Sequence, residues 1–365
     1  MEIKILNKEL SKSLSNVGYV ISNKTIEPIL QNVLLKVKDG KAELIATNLE
    51  QGIRVKLDAK LNDEKDFSSV LPYSLLKDIV SKLKMDEETI IETGEKSGVI
   101  KQGKASYRMN FLDAESFAVL PEIEEKIKFN VNTNVLKGLI DDTLFAVSKK
   151  EESRKEFRGI YFESKDGKIR FVGTDSTILA VSELPMENMP EVSFIIPWKA
   201  MDILNRMNIE KDEITVVSNE SQIAFDLGGI YVISLLINGT FPPYENAIPK
   251  ESEFKVELNK DELLSSLSRL EILAKRGNEK INFKFSNGVL EAEANSQESG
   301  EGKEKLEFKG NAEISVLFYG SKLIEGISHV KGDTVVFEMN GPLHPVKITG
   351  KEDDNFIFVI MPQRP

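Results

Sequence analysis

The sequence predicts an α+β protein built from three tandem copies of one domain, each with two helices packed on antiparallel sheets. Three observations carry that reading. A strand-to-helix pattern recurs at a domain-sized interval, a hairpin recurs after it, and a second helix recurs after the hairpin.

The opening pattern is apolar-x-apolar-x4-apolar, a short strand running into a helix. It appears as Ile3, Ile5 and Leu10, returns as Phe129, Val131 and Leu136, and returns again as Val256, Leu258 and Leu263. The starts lie about 126 residues apart, too far for a solenoid of small repeats. In the second helix, Val135, Leu136, Leu139, Ile140, Leu144 and Val147 follow helical spacing, which leaves Lys137, Asp141 and Asp142 outside. In the third, Leu263, Leu264, Leu267 and Leu270 form the buried face, with Ser266 and Arg269 opposite.

Alternating strands follow in "VLLKVKDGKAELIATN", "IYFESKDGKIRFVGTD" and "INFKFSNGVLEAEAN". Their turns, Asp39-Gly40, Asp166-Gly167 and Asn287-Gly288, are hairpin signals because both turn positions need positive φ. The second helix opens in "SSVLPYSLLKDIVSKL", "SFIIPWKAMDILNRM" and "ISVLFYGSKLIEGI", with Pro72 and Pro197 where a helix start tolerates proline. Joints carrying proline and acidic residues divide the chain into domains 1–124, 125–250 and 251–365. Tandem sheet-bearing units leave an unpaired edge at each end, and matching edges close head-to-tail into a ring.

Composition narrows the classes. With 41% hydrophobic and 29% charged residues, the 365-residue chain reads as globular and multidomain. The absence of cysteine excludes disulfide stapling and thiolate chemistry. The start "MEIKILNKEL" has no apolar stretch of signal-peptide length, so a cytoplasmic location is expected. A net charge of −11 argues against a generic nucleic-acid coat but leaves room for a local basic surface.

Four stretches, "TIEPILQNVLL", "GTDSTILAV", "FPPYENAIP" and "VIMPQR", together with the length and the repeat, resemble the bacterial DNA polymerase III β subunit family, the sliding clamps. The resemblance covers the whole chain. It implies three DNA-clamp domains and a dimeric six-domain ring that encircles duplex DNA. Helices would line the hole and sheets the outer wall. The ring would tether the polymerase III catalytic subunit, as well as other polymerases and repair proteins that carry clamp-binding peptides. A separate clamp-loader ATPase would open it. The resemblance implies no catalysis, cofactor or metal.

Inner-face cations on the expected helices are Lys12, Lys77, Lys82, Lys137, Lys199, Arg206, Lys260, Arg269 and Lys322. Lys24 and the loop Lys149, Lys150, Arg154 and Lys155 match positions where the family touches DNA. The partner-peptide pocket implied by the resemblance takes Thr174, Ser176, Thr177, Ile178 and Leu179, then Pro242, Asn246 and Ala247, then Val359, Ile360, Met361, Pro362, Gln363 and Arg364. Phe157, Tyr319 and Leu343 are further positional matches. Family members commonly have glycine and arginine at the positions of Ser176 and Ile178, and often a basic residue at Asn246. Their loss here implies partner motifs that lean on apolar anchors. The ring joint is expected to bring Tyr107 and Met109 against Ile272 and Leu273 of the other subunit.

An enzyme is disfavoured. His329 and His344 are the only histidines and have no zinc-type spacing. Asp141-Asp142 and Asp353-Asp354 are adjacent carboxylates, and "GKIRFVGTD" lacks a P-loop's glycine-lysine-Ser/Thr order. A repeat-built scaffold binding another protein or a glycan is the alternative, separable by solution mass and by retention on circular DNA.

Overall fold

The structure is a computed structural model that describes every residue except Asn23, Lys24, Ile26, Glu64, Glu95, Glu122 and Pro365. Six α-helices stand among the described residues: α1 (Asn7–Val17), α2 (Tyr73–Lys82), α3 (Thr133–Leu144), α4 (Trp198–Arg206), α5 (Lys260–Ala274) and α6 (Gly320–His329). That is two per repeat. All nine residues of the opening pattern, from Ile3 to Leu263, are buried. The hairpin turns adopt the required left-handed conformation, with φ of 49° and 68° at Asp39-Gly40, 53° and 68° at Asp166-Gly167, and 49° and 74° at Asn287-Gly288.

The chain forms two compact units, Met1–Leu136 with Asp202–Leu236, and Lys137–Met201 with Ile237–Pro365. The first holds an eight-stranded and a five-stranded antiparallel sheet. The eight-stranded sheet crosses from one repeat to the next where Gln51–Leu57 pairs with Ile230–Leu235, placing Gln51 opposite Ser234. In the second unit a nine-stranded sheet crosses likewise: Ile178–Pro185 pairs with Phe356–Ile360, placing Ile178 opposite Ile360. A four-stranded sheet completes this unit.

Alternation explains the cores. Along Lys280–Ser286, Ile281, Phe283 and Phe285 point inward and are fully buried beneath Leu263, Leu267 and Leu270 of α5. Each such side chain contributes roughly 1.5–3 kcal/mol. Asn259 caps α5 by accepting from the Glu262 amide at 3.0 Å, and Asn132 accepts from the amides of Asn134 and Val135 at the start of α3. Glycine is required where helices meet sheet. A Cβ on Gly173 would stand 2.2 Å from the Thr143 carbonyl oxygen of α3, and one on Gly326 of α6 would stand 2.1 Å from the Phe358 ring.

Two outward assignments are corrected. Asp142 is buried, accepts from Ser182 Oγ at 2.7 Å and from Lys331 Nζ at 3.5 Å, and stands 3.9 Å from His329 Nδ1; Asp141 beside it is exposed. Ser266 is also buried, receiving a 3.1 Å hydrogen bond from Arg269. In both places a polar residue sits on the sheet-facing side because a partner on a neighbouring strand satisfies it, Ser182 for Asp142 and Glu304, which accepts from Ser266 Oγ at 3.4 Å, for Ser266.

Candidate partner-docking site and DNA interface

The docking candidate begins with the turn that leads into Ile178–Pro185. Asp175 Oδ1 accepts from the Thr177 amide (2.8 Å), the Thr177 hydroxyl (2.8 Å) and the Ile178 amide (3.0 Å). Thr174 Oγ1 donates to the Ile178 carbonyl at 2.6 Å and accepts from the Ser176 amide at 3.1 Å. These bonds hold Ser176 at φ 78°, a conformation in which glycine costs nothing and serine is strained. Lys322 of α6 reaches over to Asp175 and to Thr177 Oγ1. Burial alone would push the Asp175 carboxyl up, but the Lys322 ammonium and the Thr177 donors outweigh it, so it titrates below the usual carboxylate range.

The C-terminal run lies against this turn. Phe356–Ile360 is an interior strand, bonded to Val346–Gly350 on one side and Ile178–Pro185 on the other. The Met361 amide continues the ladder by donating to the Thr177 carbonyl at 2.9 Å. Pro362 then ends it, because proline has no N–H. Gln363 donates to the Leu317 carbonyl at 2.7 Å, and Lys280 Nζ holds the Arg364 carbonyl at 2.8 Å. Tyr319 pairs across from Lys280, which brings it to the same end.

The outer face of the strand pair carries an apolar cluster of Val172, Leu179, Val181, Val359, Phe241 and Tyr244. Tyr161 stacks on Phe241 at 4.8 Å. Pro242 is half-buried beside that cluster, while Asn246 and Ala247 are exposed in the same short helical turn region. Met361 and Leu343 are the exposed apolar side chains at this end, at 36% and 49%. Ile178 and Ile360 face the other way, into the core beneath the helices. The Ile178 side chain therefore adds no apolar surface to this face, and of the positions where a cation was expected to be lost only Asn246 is exposed. Phe157 lies with the basic loop instead, its ring 5.2 Å from the Arg154 guanidinium. Lys322, expected as an inner-face cation, instead grips this turn, and Lys280, Phe241, Tyr244 and Tyr161 were not singled out from the sequence.

The basic loop is stapled by a 2.6 Å bond between Ser148 and Ser153 hydroxyls, and leaves Lys149, Lys150, Arg154 and Lys155 exposed. Lys149 sits 5.5 Å over the Trp198 ring. Lys24 lies outside the described residues. The other candidate cations fall on helices, including Lys137 on α3 and Lys199 on α4. Arg206 is ion-paired with Asp202 at 2.6 Å and lies 5.3 Å over the Tyr19 ring; Lys12 pairs with Glu210 at 2.7 Å. Three more of these cations are engaged. Arg269 grips Glu304 through two bonds of 2.7 and 2.9 Å, Lys260 donates to the Ser328 and Val330 carbonyls, and Lys322 holds Asp175.

Of the four ring-joint residues, Tyr107 and Ile272 are exposed, Leu273 is half-buried, and Met109 is 3% exposed within its own sheet. Met109 is thus a core residue in the single chain, because its side chain points to the inner face of Ala105–Asn110. No group of three or more acidic or histidine side chains is placed to hold a metal, and no helix is long and apolar enough to cross a membrane, among the described residues.

Repeated helix-on-sheet domains joined through shared sheets, with an exposed basic loop, are the architecture of a clamp-type DNA-replication protein. Family models for the N-terminal, central and C-terminal domains of the DNA polymerase III beta subunit match residues 1–121, 130–243 and 245–364, and the chain belongs to that family, the sliding clamps of DNA replication. It is 27% identical over 370 residues to the beta sliding clamp of Chlamydia muridarum, covering 100% of this chain and 99% of that one. It is 28% identical over 377 residues to the beta sliding clamp of Staphylococcus epidermidis, with 100% and 99% covered. The crystal structure of the Pseudomonas aeruginosa DNA polymerase III subunit beta superposes with a TM-score of 0.93 at 26% identity, and 100% of each chain is covered.

Proposed function

We propose that two copies of this chain close head-to-tail into a six-domain ring that encircles duplex DNA and holds the replicative polymerase beside the primer end. One observation carries the ring. In each of the first two repeats the strand after the Thr-Asx turn pairs with the last strand of the next repeat: Gln51–Leu57 with Ile230–Leu235, and Ile178–Pro185 with Phe356–Ile360. The third repeat's equivalent, Gly300–Glu307, has one flank unpaired, and so does the first repeat's last strand, Ala105–Asn110. Applying the same pairing between subunits satisfies both edges at once. Tyr107 stands on one of these strands. Leu273 packs beside Gly302 on the other, with exposed Ile272 next to it.

In this reading the domains are 1–124, 125–250 and 251–365, and the chain catalyses no reaction. It raises the effective concentration of a polymerase at its template. Lys24, Lys137, Lys199, Arg206 and the loop Lys149, Lys150, Arg154 and Lys155 supply sequence-independent attraction to phosphate. The acidic remainder of the surface discourages DNA elsewhere. Partner peptides from polymerases and repair proteins dock where Met361, Leu343, Leu179, Val359 and the Pro242–Ala247 segment meet. A clamp-loading ATPase places the ring on DNA.

The test is processive primer extension. The protein should lengthen the products of a partner polymerase. Deleting Met361 to Pro365 should abolish that effect while solution mass stays near twice 41.0 kDa. Normal stimulation by the truncated protein would refute the docking assignment.

A further inference from the structure

The crossing between the first and second repeats carries a second copy of the docking device. Thr47 Oγ1 donates to the Gln51 carbonyl at 2.8 Å and accepts from the Leu49 amide at 3.0 Å, as Thr174 does with Ile178 and Ser176. Asn48 Oδ1 accepts from the amides of Glu50 and Gln51 at 3.0 and 2.7 Å, as Asp175 does from Thr177 and Ile178. Leu49 has φ 74° where Ser176 has 78°. The Leu235 amide donates to the Glu50 carbonyl at 2.9 Å, just as Met361 donates to Thr177. Leu235 is 37% exposed where Met361 is 36%.

Two features of this copy point to a ligand. Leu49 is a bulky apolar residue held in the left-handed region and still 40% exposed, a costly choice at a turn that asparagine or glycine would fill without strain. Gln222 pairs directly across from Leu235 and so shares its face of the sheet. It is 5% exposed, and its Nε2 has no hydrogen-bond partner. On that face Leu120 lies over Gly52, beside Ile233, and completes an apolar floor.

We infer that Leu49, Leu235 and Gln222 form a second peptide-docking groove, which takes an extended partner segment with two apolar side chains flanked by Lys or Arg. This extends the reading of the tail groove as a peptide site. The occupant's charge follows from the rim. Exposed Glu50 and Glu124 add to the Lys126–Glu220 and Lys128–Glu125 pairs to make a net acidic rim, where the tail groove sets Lys280 and Arg364 against Glu245 and its Lys322 is matched by Asp175. The unpaired Gln222 amide would donate to a peptide carbonyl, and the apolar pair would cover Leu49 and Leu235.

Fluorescence anisotropy of the full-length protein with a labelled Lys-Arg-Leu-Ser-Leu-Lys-Arg peptide tests this. Leu235→Asp should weaken binding about tenfold, the loss of one buried apolar anchor. Gln222→Met should weaken it without lowering the melting temperature. Leu49→Asn should weaken it while raising the melting temperature by a few degrees, a pairing that a structural role for Leu49 would not give. Met361→Asp should leave this peptide bound but release a polymerase-tail peptide, which Leu235→Asp should retain. No binding, equal binding to Leu235→Asp, or loss on Met361→Asp would each overturn the second groove. Retention of the polymerase-tail peptide by Met361→Asp would instead count against the tail groove.

Discussion

The two crossings between repeats use one backbone device with different chemistry around it. At Thr174–Ile178 the turn is anchored by a carboxylate, and Lys322 of α6 grips it from the next repeat. At Thr47–Gln51 a neutral Asn48 does the same work, and its Nδ2 turns to the Gln51 side chain at 3.0 Å. The difference teaches that hydrogen bonds from Thr and Asx set the turn, while charge decides how firmly the neighbouring repeat is held.

The largest effect should come from filling the tight approach at the second crossing. Gly173→Ala drives a methyl into the Thr143 carbonyl and should cost about 3 kcal/mol in urea unfolding. Gly52→Ala at the first crossing meets only the flexible end of Leu120, at 3.3 Å, and should cost well under half as much. Equal losses would break the comparison.

Next, Asp175→Ala removes the acceptor of three donors and leaves Lys322 without its counter-charge, and should cost about 2 kcal/mol. Asn48→Ala strips only the neutral turn and should cost about 1 kcal/mol. The two values from thermal melts should keep that order.

Acid should separate the crossings too. The Asp175 carboxyl is held below its unfolded value, so its contribution is fully present above about pH 4 and is lost as pH falls through the lowered folded value. Glu183, with Lys168 and Arg170, and Glu338, with Lys347 and Lys255, are lowered in the same sheet and act in the same window. Burial opposes each shift and the cationic partners prevail. Hydrogen exchange below pH 4 should therefore speed up at the Met361 amide more than at the Leu235 amide, after correction for intrinsic rates. Parallel changes would show that Lys322 adds nothing. The smallest effect is Ser176→Gly, which relieves left-handed strain and should stabilise by about 0.5 kcal/mol, less than Leu49→Gly by the same measurement.

The local grammar of this fold was readable. Ile3, Phe129 and Val256 start equivalent strands, and Asp39-Gly40, Asp166-Gly167 and Asn287-Gly288 turn as their residue types require. What escaped depends on partners far along the chain. Phe356–Ile360 reads as a last strand, yet it is interior because Ile178–Pro185 comes from the preceding repeat. Asp142 and Ser266 look solvent-facing until Ser182 and Glu304 supply their bonds. Leu179, Val359 and Met361, named by motif, do come together on one pair of strands. The neighbours Phe241 and Tyr244 were not legible, and Lys322 was read as an inner-face cation, since nothing in spacing shows which side chain meets the Asp175 turn. The repeated Thr-Asx turn could have been found by aligning "ATNLEQ" with "GTDSTI".

Retention on circular against linear DNA tests the central claim most directly. Once loaded by a clamp loader, the protein should stay on a closed circle through a high-salt wash and leave when the circle is cut. Equal, salt-sensitive loss from both substrates would mean ordinary surface binding and would contradict a ring that encircles its template.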